Sequence, residues 1–387
     1  MLSFRGTRPD AIIESVRRHR VLTAATVLSL LAAACTAEPS KPSFNPTPKP
    51  TRPGQAVIIA GDPKWNAPPR DGEYALETGA NSDGGLAFDE KSGRLYIGIA
   101  GMNESLVAEI GTDGRVTLLP PFGRGDQIFF ANGTLWMLES REKFHFSRAS
   151  RATLKGEEML QWDKSSAGRV RFLDKDGKAV ERPDWKHLDE GWEGVVFALR
   201  GDGVPVIVNR FGDLFLVTGK GEMRQWRPAG YDSALRTARN GGDFSPTYMA
   251  AEPGKGLVIL GRYGVIRLED GAPAIGVRFP HSVKKLPPWQ AVTRLPDGSL
   301  LLLGGTDASH REPRPTLVRR DGSLIALNFG GPKWCHEFDG TLAAVASADP
   351  GGLIARPDGT YVISDRNCAR IYSFRLPDGL TGSAPGN

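Results

Sequence analysis

Cysteine is scarce: the 387 residues hold three, at positions 35, 335 and 368. Three thiols cannot build the disulfide framework of a small secreted scaffold, and no Cys-x-x-Cys pair offers a zinc or redox site. Histidine is scarce too, and His187, His281, His310 and His336 share no metal-ligand spacing. No phosphate loop, His-Glu-x-x-His or nucleophile elbow occurs, which removes the commonest phosphoryl-transfer, metalloprotease and hydrolase signatures. A long apolar run is also missing: the longest, residues 21–34, falls short of the ~20 residues that cross a bilayer. Excess charge is absent from most of the chain as well. The formal +5 resides in residues 1–53, leaving 41 basic and 41 acidic residues from position 54 onward. A nucleic-acid footprint needs its basic excess on the folded domain, so no nucleic-acid partner is expected.

What the chain does have begins at the N-terminus. Arg17-Arg18-His19-Arg20 precedes an apolar stretch that ends in small residues, the pattern of a secretory signal. Leu31-Ala32-Ala33-Ala34-Cys35 resembles the bacterial lipoprotein signal, which implies removal of residues 1–34 and a lipid (palmitate among its acyl chains) on Cys35. Ala32 stands where that signal prefers a larger aliphatic residue. Residues 35–55 carry Pro39, Pro42, Pro46, Pro48, Pro50 and Pro53, a composition that favours extended polyproline II and builds no core. The expected organisation is therefore a signal peptide over 1–34, a Pro-rich tether over 35–55 and a folded domain over 56–387. The expected location is the outer side of the cell membrane, held by the lipid.

Gly 47 and Pro 29 make up about a fifth of the chain, against a helical bundle and for many turns. Asp-Gly occurs eleven times, at Asp71, Asp83, Asp113, Asp176, Asp202, Asp270, Asp297, Asp321, Asp339, Asp358 and Asp378. Between β-rich runs it signals a hairpin whose favoured two-residue turn holds both central residues at positive φ. Runs such as Val206-Ile-Val208 and Leu300-Leu-Leu-Leu303 are short and Gly-bounded, as buried strands are. Only residues 232–240 look helical. Strand–turn–strand units start near Gly85, Gln127, Gly194, Thr247, Gln290 and Gly352, a spacing that reads as propeller blades of four strands. The last unit lacks a fourth strand, and residues 57–60 are a stray strand that can supply it and close the ring. An all-β, six-bladed propeller closed by an N-terminal strand is expected.

Gly352-Leu353, Asp358-Gly359-Thr-Tyr361-Val362 and Asp365-Arg-Asn367-Cys-Ala-Arg370-Ile371 together resemble one NHL repeat. The resemblance implies the six-bladed architecture and no single activity. Cys368 stands where the repeat places Asn, in the second hairpin of the last blade, and Cys335 lies in the crossing into that blade. Both loops leave the same face of an up-and-down blade. With Cys35 lipidated in an oxidising compartment, Cys335 and Cys368 are expected to form a disulfide.

Candidate binding residues gather at the same face. Pro-x-Trp recurs before inner strands at Trp65, Trp185, Trp289 and Trp334, and Trp192 joins them. These indoles either plug gaps between blades or form an aromatic ligand face. Asp83, Asp126, Glu193, Asp243 and Asp349 stand just ahead of inner strands, where converging oxygens would suit Ca²⁺; the alternative is that each caps its own turn. The lactonase-like propellers of the gluconolactonase/regucalcin type are similar in outline, with Glu193 before Gly194-Val-Val-Phe197 as the suggestive position. Two functions follow as expectations. The first is a lipid-anchored, monomeric propeller that binds a protein, peptide or glycan of the cell envelope and performs no catalysis. The second is a metal-dependent hydrolase or lactonase acting at the channel mouth.

Overall fold

In the computed structural model, residues 47–380 are described apart from 62–68, 81, 101–104, 120–126, 132, 140–143, 151–154, 163–170, 174–194, 220–221, 240–243, 253–255, 280–288, 305–314, 328–337, 343–349 and 367. They lie in one compact unit that starts at Pro46. Strand β1 (Ala56–Ala60) comes first. The first sheet follows as β2 (Ser82–Asp89), β3 (Arg94–Ala100), β4 (Ser105–Ile110) and β5 (Val116–Leu119). The second comprises β6 (Gln127–Ala131), β7 (Thr134–Glu139), β8 (Phe144–Ser150) and β9 (Lys155–Trp162). The third holds β10 (Arg171–Leu173), β11 (Val196–Leu199), β12 (Pro205–Val208), β13 (Leu214–Gly219) and β14 (Glu222–Trp226). After helix α1 (Tyr231–Ala238) comes the fourth, β15 (Pro246–Glu252), β16 (Gly256–Gly261), β17 (Gly264–Leu268) and β18 (Ile275–Arg278). The fifth is β19 (Trp289–Arg294), β20 (Leu300–Gly304), β21 (Thr316–Val318) and β22 (Leu324–Ala326). The sixth takes β23 (Pro350–Ala355), β24 (Tyr361–Asp365) and β25 (Arg370–Phe374), and β1 completes it in antiparallel pairing with β25.

This is an all-β propeller. The six first strands touch one another in a cycle, β2 to β6, β11, β15, β19, β23 and back to β2. Apolar cores fill the spaces between neighbouring sheets rather than one common centre. Between the first and second sheets, for example, Tyr96 and Phe130 stack with ring centroids 4.8 Å apart. The sequence of β1, Ala-Val-Ile-Ile-Ala, is apolar throughout because both of its faces are covered. Ile59 packs into the core shared by the sixth and first sheets, and Ala56 into the core shared by the fifth and sixth.

Three features depart from the sequence expectations. The Asp-Gly hairpins are not two-residue turns with both residues at positive φ. Only the glycines are left-handed, for instance Gly203 (φ 82°) and Gly298 (φ 83°). In the turn after β11, the Gly203 N–H donates to the Arg200 carbonyl (2.7 Å), and Asp202 Oδ1 accepts the Val204 N–H (3.2 Å). These are three-residue loops in which Asp stabilises the turn and Gly supplies the αL position. The second departure is β10, an unexpected edge strand that pairs in parallel with β14. It lies within the long stretch between the second and third repeats, most of which is outside the described residues. Finally, residues 47–55, expected as the end of a free spacer, lie on the propeller. The Thr47 N–H donates to the Thr112 carbonyl (3.2 Å), Arg375 Nε to the Pro50 carbonyl (3.1 Å), and the Gly54 N–H to the Arg375 carbonyl (3.1 Å).

Candidate functional site

In an up-and-down blade, the first and third turns share one face, while the second turn and the crossing to the next blade share the other. First and third turns contain at most six residues, and Asp113, Asp202, Asp270, Asp297, Asp321 and Asp358 all stand in them. Crossings are far longer, as in 61–81, 227–245 and 327–349. The described parts of these crossings run along the outer edge to the next third turn or to the start of β1: the Ala75 N–H donates to the Gly114 carbonyl (2.8 Å), the Ala274 N–H to the Ala229 carbonyl (2.8 Å) and the Ala56 N–H to the Gly340 carbonyl (2.9 Å). The second turns and the C-terminal end of α1 are the described part of the other face, the candidate binding face, because loops on a rigid scaffold carry recognition. Among the described residues, the non-glycine residues with positive φ, Ser245 (46°) and Ala369 (49°), sit on this loop face. Held left-handed geometry of this kind costs about 1–3 kcal/mol and concentrates at working surfaces.

The described part of the loop face centres on α1. Its buried residues Tyr231, Ala234, Leu235 and Ala238 recur at helical spacing and pack onto the fourth sheet. Gly276 permits the approach, since a Cβ there would run into the Ala234 backbone. Tyr231 Oη donates to the Gly212 carbonyl (2.6 Å), and Arg239 Nη2 to the Phe211 carbonyl (3.2 Å), tying the helix to the turn between β12 and β13. Arg278 closes the helix C-terminus by donating to the carbonyls of Thr237 (3.0 Å) and Arg239 (2.6 Å).

Of the two readings of the tryptophans, Trp289 takes the gap-plugging one and is no part of a ligand face. It opens β19, is 2% exposed and packs edge-on against Phe279 between the fourth and fifth sheets. Its role is to plug an inter-blade gap, so it offers no surface to a ligand. Trp65, Trp185, Trp192 and Trp334 lie outside the described residues. So do Asp126, Glu193, Asp243 and Asp349 of the expected acidic ring, and Asp83 falls in the irregular opening of β2. Among the described residues no group of three His, Cys, Asp or Glu side chains gathers. Cys368 is buried in the turn between β24 and β25, its N–H donating to Asp365 Oδ1 (3.1 Å), while Cys335 is outside the described residues.

Sequence reasoning missed a cleft of about 430 Å³ between the third and fourth sheets. Its walls include Arg200, Trp226, Leu257, Leu268, Glu269 and Pro273. Arg200 lies 5.4 Å from the Trp226 ring centroid and bonds Asp202, whose carboxyl it holds below the ordinary carboxylate range. Glu269 accepts from Arg294 Nη2 (3.0 Å). Arg200 and Glu269 of this cleft are therefore already paired within the protein, as structural groups are.

No family model matches the sequence, and no curated protein matches it. Solved structures do. A protein of unknown function from Bacteroides thetaiotaomicron superposes with a TM-score of 0.56 at 12% identity, covering 82% of this chain and 75% of that one. An auxiliary nutrient binding protein from Bacteroides ovatus gives 0.50 at 11%, covering 82% and 76%. A calcium-binding protein, regucalcin, from Agrobacterium tumefaciens gives 0.48 at 11%, covering 80% and 95%. At these identities the likeness is one of propeller fold.

Proposed function

We propose that the chain is an exported, lipid-anchored six-bladed propeller whose loop face binds a glycan, peptide or protein of the cell envelope. The observation that carries this reading is the left-handed backbone of Ser245 and Ala369, both on the loop face, opposite the tight Asp-Gly hairpins. The basic, apolar, small-residue order of residues 17–34 followed by Cys35 supports export and lipidation. The path of residues 47–55 supports the orientation. Thr47 is held by the Gly111–Thr112 turn, and Lys49 Nζ lies 3.9 Å from Asp358 in the first turn of the sixth sheet. The chain thus reaches the propeller on the hairpin face. Residues 47–55 therefore leave the loop-face turns 209–213 and 262–263 uncovered, with Arg210 and Arg262 exposed there.

Within this reading Cys335 and Cys368 form a disulfide beneath the loop face. With Cys35 assigned to the lipid, these are the two thiols that remain. The test is calorimetric titration of the protein with envelope glycan fragments and peptides, using loop-face and hairpin-face variants. Binding that is lost on Phe211→Ala but kept on Asp321→Ala supports the reading. Binding that only hairpin-face changes disturb overturns it.

A further inference from the structure

The loop face around α1 is crowded with guanidinium groups. Hydrogen bonds place their backbones together. The Ser245 N–H donates to the Arg210 carbonyl (3.1 Å), and the Arg262 N–H to the Ser245 carbonyl (3.0 Å). Arg278 spans the carbonyls of Thr237 and Arg239 at the helix end, one turn beyond Arg236. Arg210, Arg236, Arg262 and Arg278 are all exposed. The carboxylates that face this neighbourhood are Asp213, which accepts from Arg227 Nη2 (2.5 Å), and Asp232, 3.8 Å from Arg227 Nε. Arg227 therefore answers both. Arg278 is occupied with the helix carbonyls, and Arg262 lies 5.6 Å from the Tyr263 ring centroid. Among the described residues no carboxylate pairs with Arg210, Arg236 or Arg262.

Such an arrangement has no folding purpose that its hydrogen bonds disclose. Like charges gathered at a surface cost stability, and exposed guanidiniums on one face, with Arg210 and Arg262 joined through Ser245, suit the recognition of carboxylate or phosphate. We propose that this arc binds an anionic glycan of the envelope, one bearing carboxylate or phosphate groups along its length. The inference rests on the loop-face reading above and names the ligand's chemistry. A protein partner fits less well, because an interface needs a desolvated apolar centre. The large exposed hydrophobic side chain among the described residues is Ile275, on the edge of the fourth sheet. A membrane surface also fits less well, since residues 47–55 reach the propeller on the opposite face.

The experiment uses the full-length lipidated protein, its N-terminal modification confirmed by mass. Binding is measured to alginate oligomers, inorganic polyphosphate, neutral dextran and phosphatidylglycerol vesicles at two salt concentrations. The expected result is salt-sensitive binding to alginate or polyphosphate, none to dextran, and at least a tenfold loss in Arg210→Glu/Arg262→Glu. The hairpin-face variant Lys91→Glu/Arg320→Glu should bind as the wild type does. Arg236→Gln alone should weaken binding and flatten its salt dependence. Equal losses in the two double variants, no preference for the anionic polymers over dextran, or binding confined to the vesicles would each overturn the proposal. If the loop face instead protects on binding a neutral glycan, the arc is refuted while the envelope-binding reading stands.

Discussion

Ile59→Ala tests whether β1 closes the propeller. Ile59 is 1% exposed and lies in the core shared by the sixth and first sheets with Ile97, Val362 and Ile371. Truncation removes buried carbons and leaves a cavity that neighbouring strands cannot fill, because both sheets are held by their own ladders. Large-to-small changes at such sites cost about 2–5 kcal/mol. For a domain of this size that corresponds to a fall of roughly 4–15 °C in Tm. The control is Ile275→Ala, half exposed on β18, which should move stability by no more than about 0.5 kcal/mol. Differential scanning calorimetry of both variants decides the matter. If Ile59→Ala melts within a degree of Ile275→Ala, β1 does not seal the ring and the pairing with β25 is dispensable.

Other outcomes follow from the same contacts. Arg267, 5% exposed, donates to the carbonyls of Gly298 (3.2 Å), Val318 (3.0 Å) and Arg319 (3.0 Å), so Arg267→Met should destabilise by about 2–4 kcal/mol; an unchanged denaturation midpoint would count against that latch. Stability should fall as pH drops below about 4. The Arg200 hydrogen bond holds Asp202 below its ordinary range, and Thr360 does the same for Asp358, outweighing the burial that opposes it. These carboxylates titrate lower folded than unfolded, so their contribution is whole above the unfolded value and is lost below it. A urea midpoint that rises from pH 5 to pH 3 would contradict this sign. Thiol labelling of the denatured, unreduced mature protein should find neither Cys335 nor Cys368 reactive. Reduction should release both and remove about 3–4 kcal/mol of stability, whereas two reactive thiols before reduction would dismiss the bond.

Much of the architecture was legible because propeller strands carry short-range signals. Inner strands were expected near Gly85, Gln127, Gly194, Thr247, Gln290 and Gly352, and each falls in or beside an observed first strand. The Val57–Ala60 run was apolar on both faces and isolated, which suffices to mark a closing strand. Asp-Gly marked hairpins at Asp113, Asp202, Asp270, Asp297, Asp321 and Asp358, but not at Asp71, Asp83, Asp339 or Asp378, and not their geometry. The dipeptide alone does not distinguish a turn with two left-handed residues from one in which Gly alone is left-handed. β10 was hidden because three residues of edge strand carry no periodicity. Trp289 shows the same limit from another side. Pro-x-Trp fixes where a tryptophan enters the blade but not whether its ring turns into the inter-blade core or toward solvent. The arginine arc was invisible for a different reason. Arg210, Arg236, Arg262 and Arg278 come from four separate elements, joined by Ser245 between Arg210 and Arg262 and by the docking of α1 onto β18 between Arg236 and Arg278.

The most direct measurement is hydrogen–deuterium exchange of the full-length protein with and without alginate oligomers or envelope glycan fragments. Binding at the loop face predicts slowed exchange in residues 209–213, 236–239 and 262–263. Exchange should stay unchanged in the hairpin turns 111–115, 297–299 and 321–323. Protection confined to those hairpin turns, or spread evenly over both faces, would contradict a propeller that meets its envelope partner through the loop face.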